Sequence, residues 1–359
     1  MKIRELFQIM VQREASDLFL RIHATPRARI NGIVTKISNE RMSRDEIDQI
    51  ALYLLGDEQR RKKFLDYLDI DFIHVEEGVG RFRINIFTQR GTPAIVARHV
   101  HTHVKSFEEL HLPVELCKLF CEEAKGLFLV CGPAGNGKST TIASMIEYIN
   151  IKSSKHILTI EDPIEFLFED QQSIINQREL GMDVLSYTTA LNFVTQQSPD
   201  IIYIGNIRNE GTMRAAITAT ELGTFVMTTS HAVNAVQALM RIVNFFPPHL
   251  HDEVRMQLSV ILKGTISLRL LPLKDGSGRV PAFETMVVTP TIARLIREGK
   301  IKEIQKYIDE GNLFGMQSFK QSLVKLVKAE QVDPEMARYL SDSKDEFDLA
   351  LKGIKNRFD

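Results

Sequence analysis

Gly132-Pro133-Ala134-Gly135-Asn136-Gly137-Lys138-Ser139, followed by Thr140, sets the ligand class of this chain and much of its architecture. The stretch spells Gly-x4-Gly-Lys-Ser, a phosphate-binding P-loop. Its glycines let the backbone turn tightly and aim N–H groups at phosphate oxygens, its lysine reaches the β- and γ-phosphates, and the Ser139 hydroxyl holds Mg²⁺. The flanks fit that geometry. Leu127 to Cys131 is a short apolar run suited to a buried strand, and Thr140 to Asn150 carries Ile142, Met145, Ile146 and Ile149 at helical spacing. A helix N-terminus therefore faces the bound anion. The implied ligand is a nucleoside triphosphate with Mg²⁺.

On the C-terminal side of the loop, short β-rich segments recur at His156 to Ile160, Ile201 to Gly205 and Phe225 to Thr229, separated by helical or loop stretches. This alternation predicts a mostly parallel sheet with helices on both faces. A polar turn sits at Asp275 to Gly278, and amphipathic helices follow from about 291 to 352. On the N-terminal side, residues 1–100 read as a small α+β domain. It opens with a helix from Lys2 to Arg13 whose Ile3, Leu6, Phe7 and Met10 form one stripe. Strands are expected at Asp17 to Ile22, on both sides of the Asn31-Gly32 turn, at Gly80 to Phe87 and, after Gln89-Arg90-Gly91, at Ala94 to Val100. The region from Arg41 to Asp66 is charged and helical in pattern. A polar segment with Pro113 marks a linker at 101–113, and residues 114–359 form the second domain.

With 359 residues, 44% of them hydrophobic, two domains with sizeable cores are expected. Forty-five basic and 46 acidic residues leave a net charge of −1, so no global field recruits nucleic acid or an acidic membrane. The opening Met1-Lys2-Ile3-Arg4-Glu5-Leu6 lacks an apolar signal core, and no apolar run approaches the ~20 residues of a membrane span, which points to a cytoplasmic protein. Cys117, Cys121 and Cys131 make no disulfide framework and read as buried thiols rather than zinc ligands. His99, His101 and His103 read as a polar linker rather than a metal site.

Ile160-Glu161-Asp162-Pro163-Ile164-Glu165 sets three carboxylates at the end of a buried strand, where ligands bind in an open α/β sheet. Glu161 or Glu165 is placed to orient the attacking water, and Asp162 to hold Mg²⁺ through water. Composition does not rank the two glutamates. Asp200-Ile201-Ile202-Tyr203-Ile204-Gly205-Asn206 resembles a Walker B strand, with Asn206 where an acidic group usually meets Mg²⁺ and water. An amide carries no charge and takes no proton from water at neutral pH, so a base role is excluded there.

At this point the chain resembles the PilT/PilU retraction ATPases of type IV pili, within the secretion ATPase superfamily. The likeness runs nearly end to end. It is carried by Ser16-Asp17-Leu18, Gly80-Arg81-Phe82-Arg83 with Gln89-Arg90, the P-loop, the aspartate box at 160–165 and the histidine box Ser230-His231-Ala232. It continues through Arg241-Ile242-Val243-Asn244-Phe245-Phe246-Pro247, Leu295-Ile296-Arg297-Glu298-Gly299-Lys300 and Met316-Gln317-Ser318-Phe319. The Asn-Phe-Phe-Pro stretch is nearer the PilU branch. The resemblance implies a PAS-like N-terminal domain, a RecA-like ATPase domain with C-terminal helices, and a hexameric ring, either of one chain or mixed with an active PilT-like ATPase. It implies His231 as a catalytic-site residue, and Arg81, Arg83, Arg90 and Arg98 as arginines that reach a nucleotide held partly by the neighbouring subunit, a role that suits planar guanidinium groups. It also implies contact with the inner-membrane pilus platform protein.

The chain departs from the family at Gly205-Asn206-Ile207-Arg208-Asn209, at Asn192 and Gln196, and at Glu221-Leu222-Gly223-Thr224. These departures are expected to concentrate in the nucleotide site. The reading is an ATP-binding motor subunit whose hydrolysis is slow or partner-dependent. Its alternatives are a fully active ATPase relying on Glu161 and a non-hydrolysing ring component. Longer extension and secretion ATPases, with an extra N-terminal module and a four-cysteine zinc element, fit less well.

Overall fold

The structure, a computed structural model, describes residues 2–100, 103–311 and 314–354. His101 lies outside the described residues. Two compact units divide the chain, residues 1–103 with 165–167 and residues 104–164 with 168–359.

The first unit runs α1 (Ile3–Gln12), β1 (Asp17–Arg21), β2 (Arg27–Ile30), β3 (Ile33–Lys36), α2 (Arg44–Leu55), α3 (Glu58–Tyr67), β4 (Asp69–Glu76), β5 (Gly80–Gln89) and β6 (Thr92–Val100). Its six strands pair antiparallel in the order β3-β2-β1-β6-β5-β4. Asn31 and Gly32 both take positive φ, so the two-residue turn follows the strand twist and sets Ile30 opposite Ile33. The α1 stripe, Ile3, Leu6, Phe7 and Met10, is buried as its spacing requires. Phe7 stacks on Phe82 with centroids 3.9 Å apart. Along β5, Phe82, Ile84 and Ile86 point inward while Arg81, Arg83 and Asn85 take the other face. β4 goes beyond the sequence reading. Its charges at Asp69, Asp71 and Glu76 obscure Ile70 and Phe72, the residues that the core claims.

The second unit contains α4 (Val114–Cys121), β7 (Gly126–Cys131), α5 (Lys138–Lys152), β8 (His156–Glu161), β9 (Ile174–Glu179), α6 (Tyr187–Asn192), β10 (Ile201–Ile204) and α7 (Glu210–Glu221). It continues with β11 (Phe225–Ser230), α8 (Ala235–Val243), α9 (His251–Ile261), β12 (Leu262–Pro272) and β13 (Arg279–Val287). The last helices are α10 (Pro290–Arg297), α11 (Ile304–Glu310), α12 (Phe319–Lys328), α13 (Pro334–Leu340) and α14 (Lys344–Leu351). The sheet order is β13-β12-β7-β11-β10-β8-β9, parallel except for the edge strand β13. Alternate strand residues enter two separate cores. Phe128, Val130, Ile157, Tyr203 and Met227 meet α4 and α5 on one face, while Leu129, Leu158, Ile160, Ile202 and Ile204 meet α7 to α11 on the other. Burial on both faces explains why these strands read as unbroken apolar runs. α12 to α14 close a third cluster over Leu271 and Val280.

Residues 104–113, expected within a linker, are packed instead. Phe107 and Leu112 are buried in the α4–α5 core, with the Leu112 N–H donating to Phe107 O (2.9 Å) across the turn. All three cysteines are buried and free, and burial pushes the Cys117 and Cys131 thiols up to about 12. Among the described residues no helix is long and apolar enough to cross a membrane.

Glu284 on β13 is a buried carboxyl that ties three elements together. It accepts from the Ala235 N–H at the start of α8 (2.9 Å) and from the Gln305 amide of α11 (3.3 Å). Burial pushes its pKa up to about 7 from 4.5, against those hydrogen bonds and Arg269, with Asp342 adding to the rise. A raised folded pKa gives stability that is complete below about pH 4.5 and is lost as pH climbs through about 7, a span worth on the order of 3 kcal/mol. Glu284→Gln keeps the acceptor and removes the charge. Urea unfolding at pH 5 and 8 is expected to show the unmodified chain losing stability relative to this variant at the higher pH; parallel trends would refute the assignment.

Candidate nucleotide site

Sheet register gathers the site. β7 pairs with β11 to place Cys131 beside Ser230, and β10 pairs with β8 to place Ile204 beside Ile160, so the carboxyl ends of four adjacent strands finish along one edge. Three hydrogen bonds continue the ladder past the strands. The Gly132 N–H donates to Ser230 O (3.1 Å), the Gly205 N–H to Ile160 O (2.8 Å), and the Thr229 hydroxyl to Gly205 O (2.6 Å). The P-loop, Glu161-Asp162, Asn206 and His231 thereby share an edge, the usual ligand position in open α/β sheets.

The P-loop carries positive φ at Gly132, Gly135 and Gly137. At Gly132 an added Cβ would lie 2.6 Å from Leu268 O, so only glycine lets the loop pass β12. Asn136 fastens the loop from within. Its side-chain oxygen accepts from the Leu270 N–H (2.8 Å) and its amide donates to Ala134 O (3.2 Å). Lys138 is buried, with Nζ donating to Pro133 O at 2.9 Å. Ser139 and Thr140 follow in the first turn of α5, whose N-terminus opens on the loop. Positive-φ glycines, an inward lysine and an exposed helix N-terminus together fit a triphosphate.

Glu161 ends β8 and is only 6% exposed. One carboxylate oxygen accepts from the Thr159 hydroxyl (2.7 Å) and from the Gln177 amide of β9 (3.3 Å). Neither partner stood out in the sequence, Thr159 being a single polar residue among apolar ones in β8 and Gln177 one of four consecutive polar residues, Asn176 to Glu179. Asp162 follows at the same edge. Glu165 belongs with Arg81, Arg83, Arg90 and Arg98 to the first compact unit, so the second unit builds this edge without them. Within the first unit Arg83 is paired with Asp71 and Arg98 with Asp17, whereas Arg81 and Arg90 have no ion-pair partner among the described residues.

Asn206 is 8% exposed, and its amide nitrogen donates to His231 Nε2 at 3.1 Å. That direction requires a neutral imidazole with its proton on Nδ1. Desolvation, then the positive charges of Lys138, Arg208 and Arg241, lowers the His231 pKa below its usual 6.5 and favours the same neutral ring.

Of the other departures, Thr224 lies away from this edge. Asn209 caps α7, accepting from the Thr212 N–H (2.9 Å), a job asparagine and aspartate do equally well. Thr224 accepts from the Gly126 N–H where β7 begins, at the opposite end of the strand from the P-loop. Asn192 and Gln196 are exposed, on α6 and the 3-10 turn after it. The tertiary structure thus parts Thr224 from Asn206.

A nucleotide-binding loop at the carboxyl edge of a two-faced parallel sheet, joined to an antiparallel α+β unit, defines a RecA-like P-loop ATPase with a PAS-like domain. The pattern of the Type II/IV secretion system protein family matches residues 73–275, and the chain belongs to that family. It is 37% identical over 352 residues to the type IV pilus ATPase PilU of Pseudomonas aeruginosa, covering 98% of this chain and 92% of that protein. It is 38% identical over 338 residues to the type IV pilus retraction ATPase PilT of the same organism, covering 94% and 97%. Its fold is similar to the crystal structure of the pilus retraction motor PilT with bound ADP, with a TM-score of 0.86, 39% identity, and 96% and 98% of the two chains covered.

Replacing the amide at 206 by a carboxylate would put a negative charge against the His231 ring, which stabilises the imidazolium. Asn206→Glu is expected to raise the His231 pKa by about one unit or more, read from its ring resonances in an NMR titration. An unmoved titration would show that the two side chains do not meet.

Proposed function

We propose that this chain is an ATP-binding subunit of a type IV pilus retraction motor in which hydrolysis is slow or depends on a partner ATPase. The observation carrying this reading is the pairing of a complete P-loop with Asn206, an amide turned to His231 where a carboxylate would hold the metal shell and water. Ser139 and Asp162 are the residues that would hold Mg²⁺, Asp162 through water. The ion's charge would neutralise the β- and γ-phosphate oxygens. Lys138 and the loop N–H groups bind and orient the phosphates, while Glu161, fixed by Thr159 and Gln177, orients the attacking water. His231, kept neutral, adds no charge to this edge.

The working form we infer is a hexameric ring, of this chain alone or mixed with an active retraction ATPase, acting on an inner-membrane platform protein from the cytoplasmic side. In such a ring Arg81, Arg83, Arg90 and Arg98 are the candidates for the nucleotide of a neighbouring subunit, and Glu165 is a second candidate carboxylate. Arg81 and Arg90 suit this best, since Arg83 and Arg98 already answer Asp71 and Asp17.

A second reading, an autonomous ATPase, is favoured by Glu161 itself, a buried carboxylate held by two side-chain donors. Steady-state ATP hydrolysis, blanked with Lys138→Ala, separates the two. Asn206→Glu is expected to turn over faster than the unmodified chain by roughly 10²-fold or more, the scale of one positioned base. Equal rates, both abolished by Glu161→Gln, would establish the autonomous motor instead.

A further inference from the structure

Tyr187, the first residue of α6, places a hydroxyl at this same edge. The helix is capped by Ser186, whose Oγ accepts from the Thr189 N–H (3.0 Å), and the phenol leaves the first turn toward β8 and β10. A Cβ built on Gly205 would lie 3.1 Å from the Tyr187 oxygen and 3.2 Å from Glu161 Cα. The absence of a side chain at 205 is what admits the phenol. Its oxygen therefore sits between the end of β8, which carries Glu161, and the backbone that leads into Asn206. That oxygen is buried and has no hydrogen-bond partner among the described residues. A buried hydroxyl without a partner is costly to a fold, and here it lies beside the backbone one residue before Asn206.

Taking the ATPase reading above as its basis, we propose that the Tyr187 hydroxyl is a positioning residue for hydrolysis, holding the attacking water by a hydrogen bond and supplying the second anchor that Asn206 does not. Burial, then the charge of Asp162, raises the phenol's pKa well above 10, with Arg208 opposing and Glu161 reinforcing. The group stays neutral and acts only as a hydrogen-bond donor or acceptor. In the step it serves, the water oxygen bonds to the γ-phosphorus and the bond to the β–γ bridging oxygen breaks. ADP leaves with that electron pair, and the water proton passes to Glu161 rather than to the phenol.

Tyr187→Phe removes one oxygen and keeps the ring. It is expected to lower turnover about tenfold, to leave affinity for a fluorescent ATP analogue within twofold, and to leave the melting temperature of the nucleotide-free protein unchanged or higher. In an Asn206→Glu background, where a carboxylate supplies the anchor, the same change is expected to cost less than twofold. A merely structural tyrosine would cost the same in both backgrounds. Independently of turnover, the Tyr187 ¹³Cζ resonance is expected to shift when Mg²⁺ and a non-hydrolysable ATP analogue are added together. An unmoved resonance in a protein that binds the analogue, or equal rate effects in the two backgrounds, would overturn the role of Tyr187 alone. Failure of the unmodified chain to bind the analogue would instead overturn the nucleotide site.

Discussion

The parallel register of four strands is the constraint on which the rest of the second unit depends. Strands that run the same way and are paired without slippage deliver their carboxyl ends to one line. In this chain Cys131, Glu161, Ile204 and Ser230 finish there together. A slip of one residue would turn Glu161 to the other face and break the bond from Gly132 to Ser230. The register is held by the two-faced core, since Leu129, Leu158 and Ile202 belong to one cluster and Val130, Ile157 and Tyr203 to the other. Hydrophobic packing on both faces thus fixes polar geometry at the edge.

The P-loop depends on that frame and on β12 beside it. A loop that offers its N–H groups to an anion cannot spend them on itself, so it must be held by other contacts. Asn136 provides one through the Leu270 N–H, and Gly132 provides another by clearing Leu268 O. β12 and β13 were absent from the expected strands, yet they form the wall against which the loop is shaped. Beyond the loop, Glu284 joins β13 to the first turn of α8, the helix that follows the His231 loop.

Around position 206 the charge balance differs from that of a site with a carboxylate there. Lys138, Arg208 and Arg241 all press on His231, and Asn206 answers the ring with a donor rather than a negative charge. The ring is kept neutral. Glu161 is a buried carboxylate of this edge, oriented by Thr159 and Gln177. In such a site, binding rests on backbone and lysine, and turnover on groups that fix and deprotonate water.

The sequence alone determined what periodicity and local stereochemistry encode. The P-loop needs no tertiary context to be recognised, because its glycines answer a backbone requirement. The α1 stripe, the Asn31-Gly32 turn and the alternation of Phe82, Ile84 and Ile86 are equally local, and the substitution at Asn206 is legible in the strand that carries it. Only the tertiary structure could decide which polar residues share a site. Gln177, Asn136 and Glu284 acquire their hydrogen-bond partners from other strands and helices and Tyr187 its place beside Gly205, and β4, β9, β12 and β13 are defined by pairings rather than by their own pattern. It also gave Asn209 the role of a helix cap and set Thr224 at the far end of β7. The reason is physical. Backbone preference is a property of neighbours in the chain, whereas burial, hydrogen-bond partnership and electrostatic environment belong to neighbours in space.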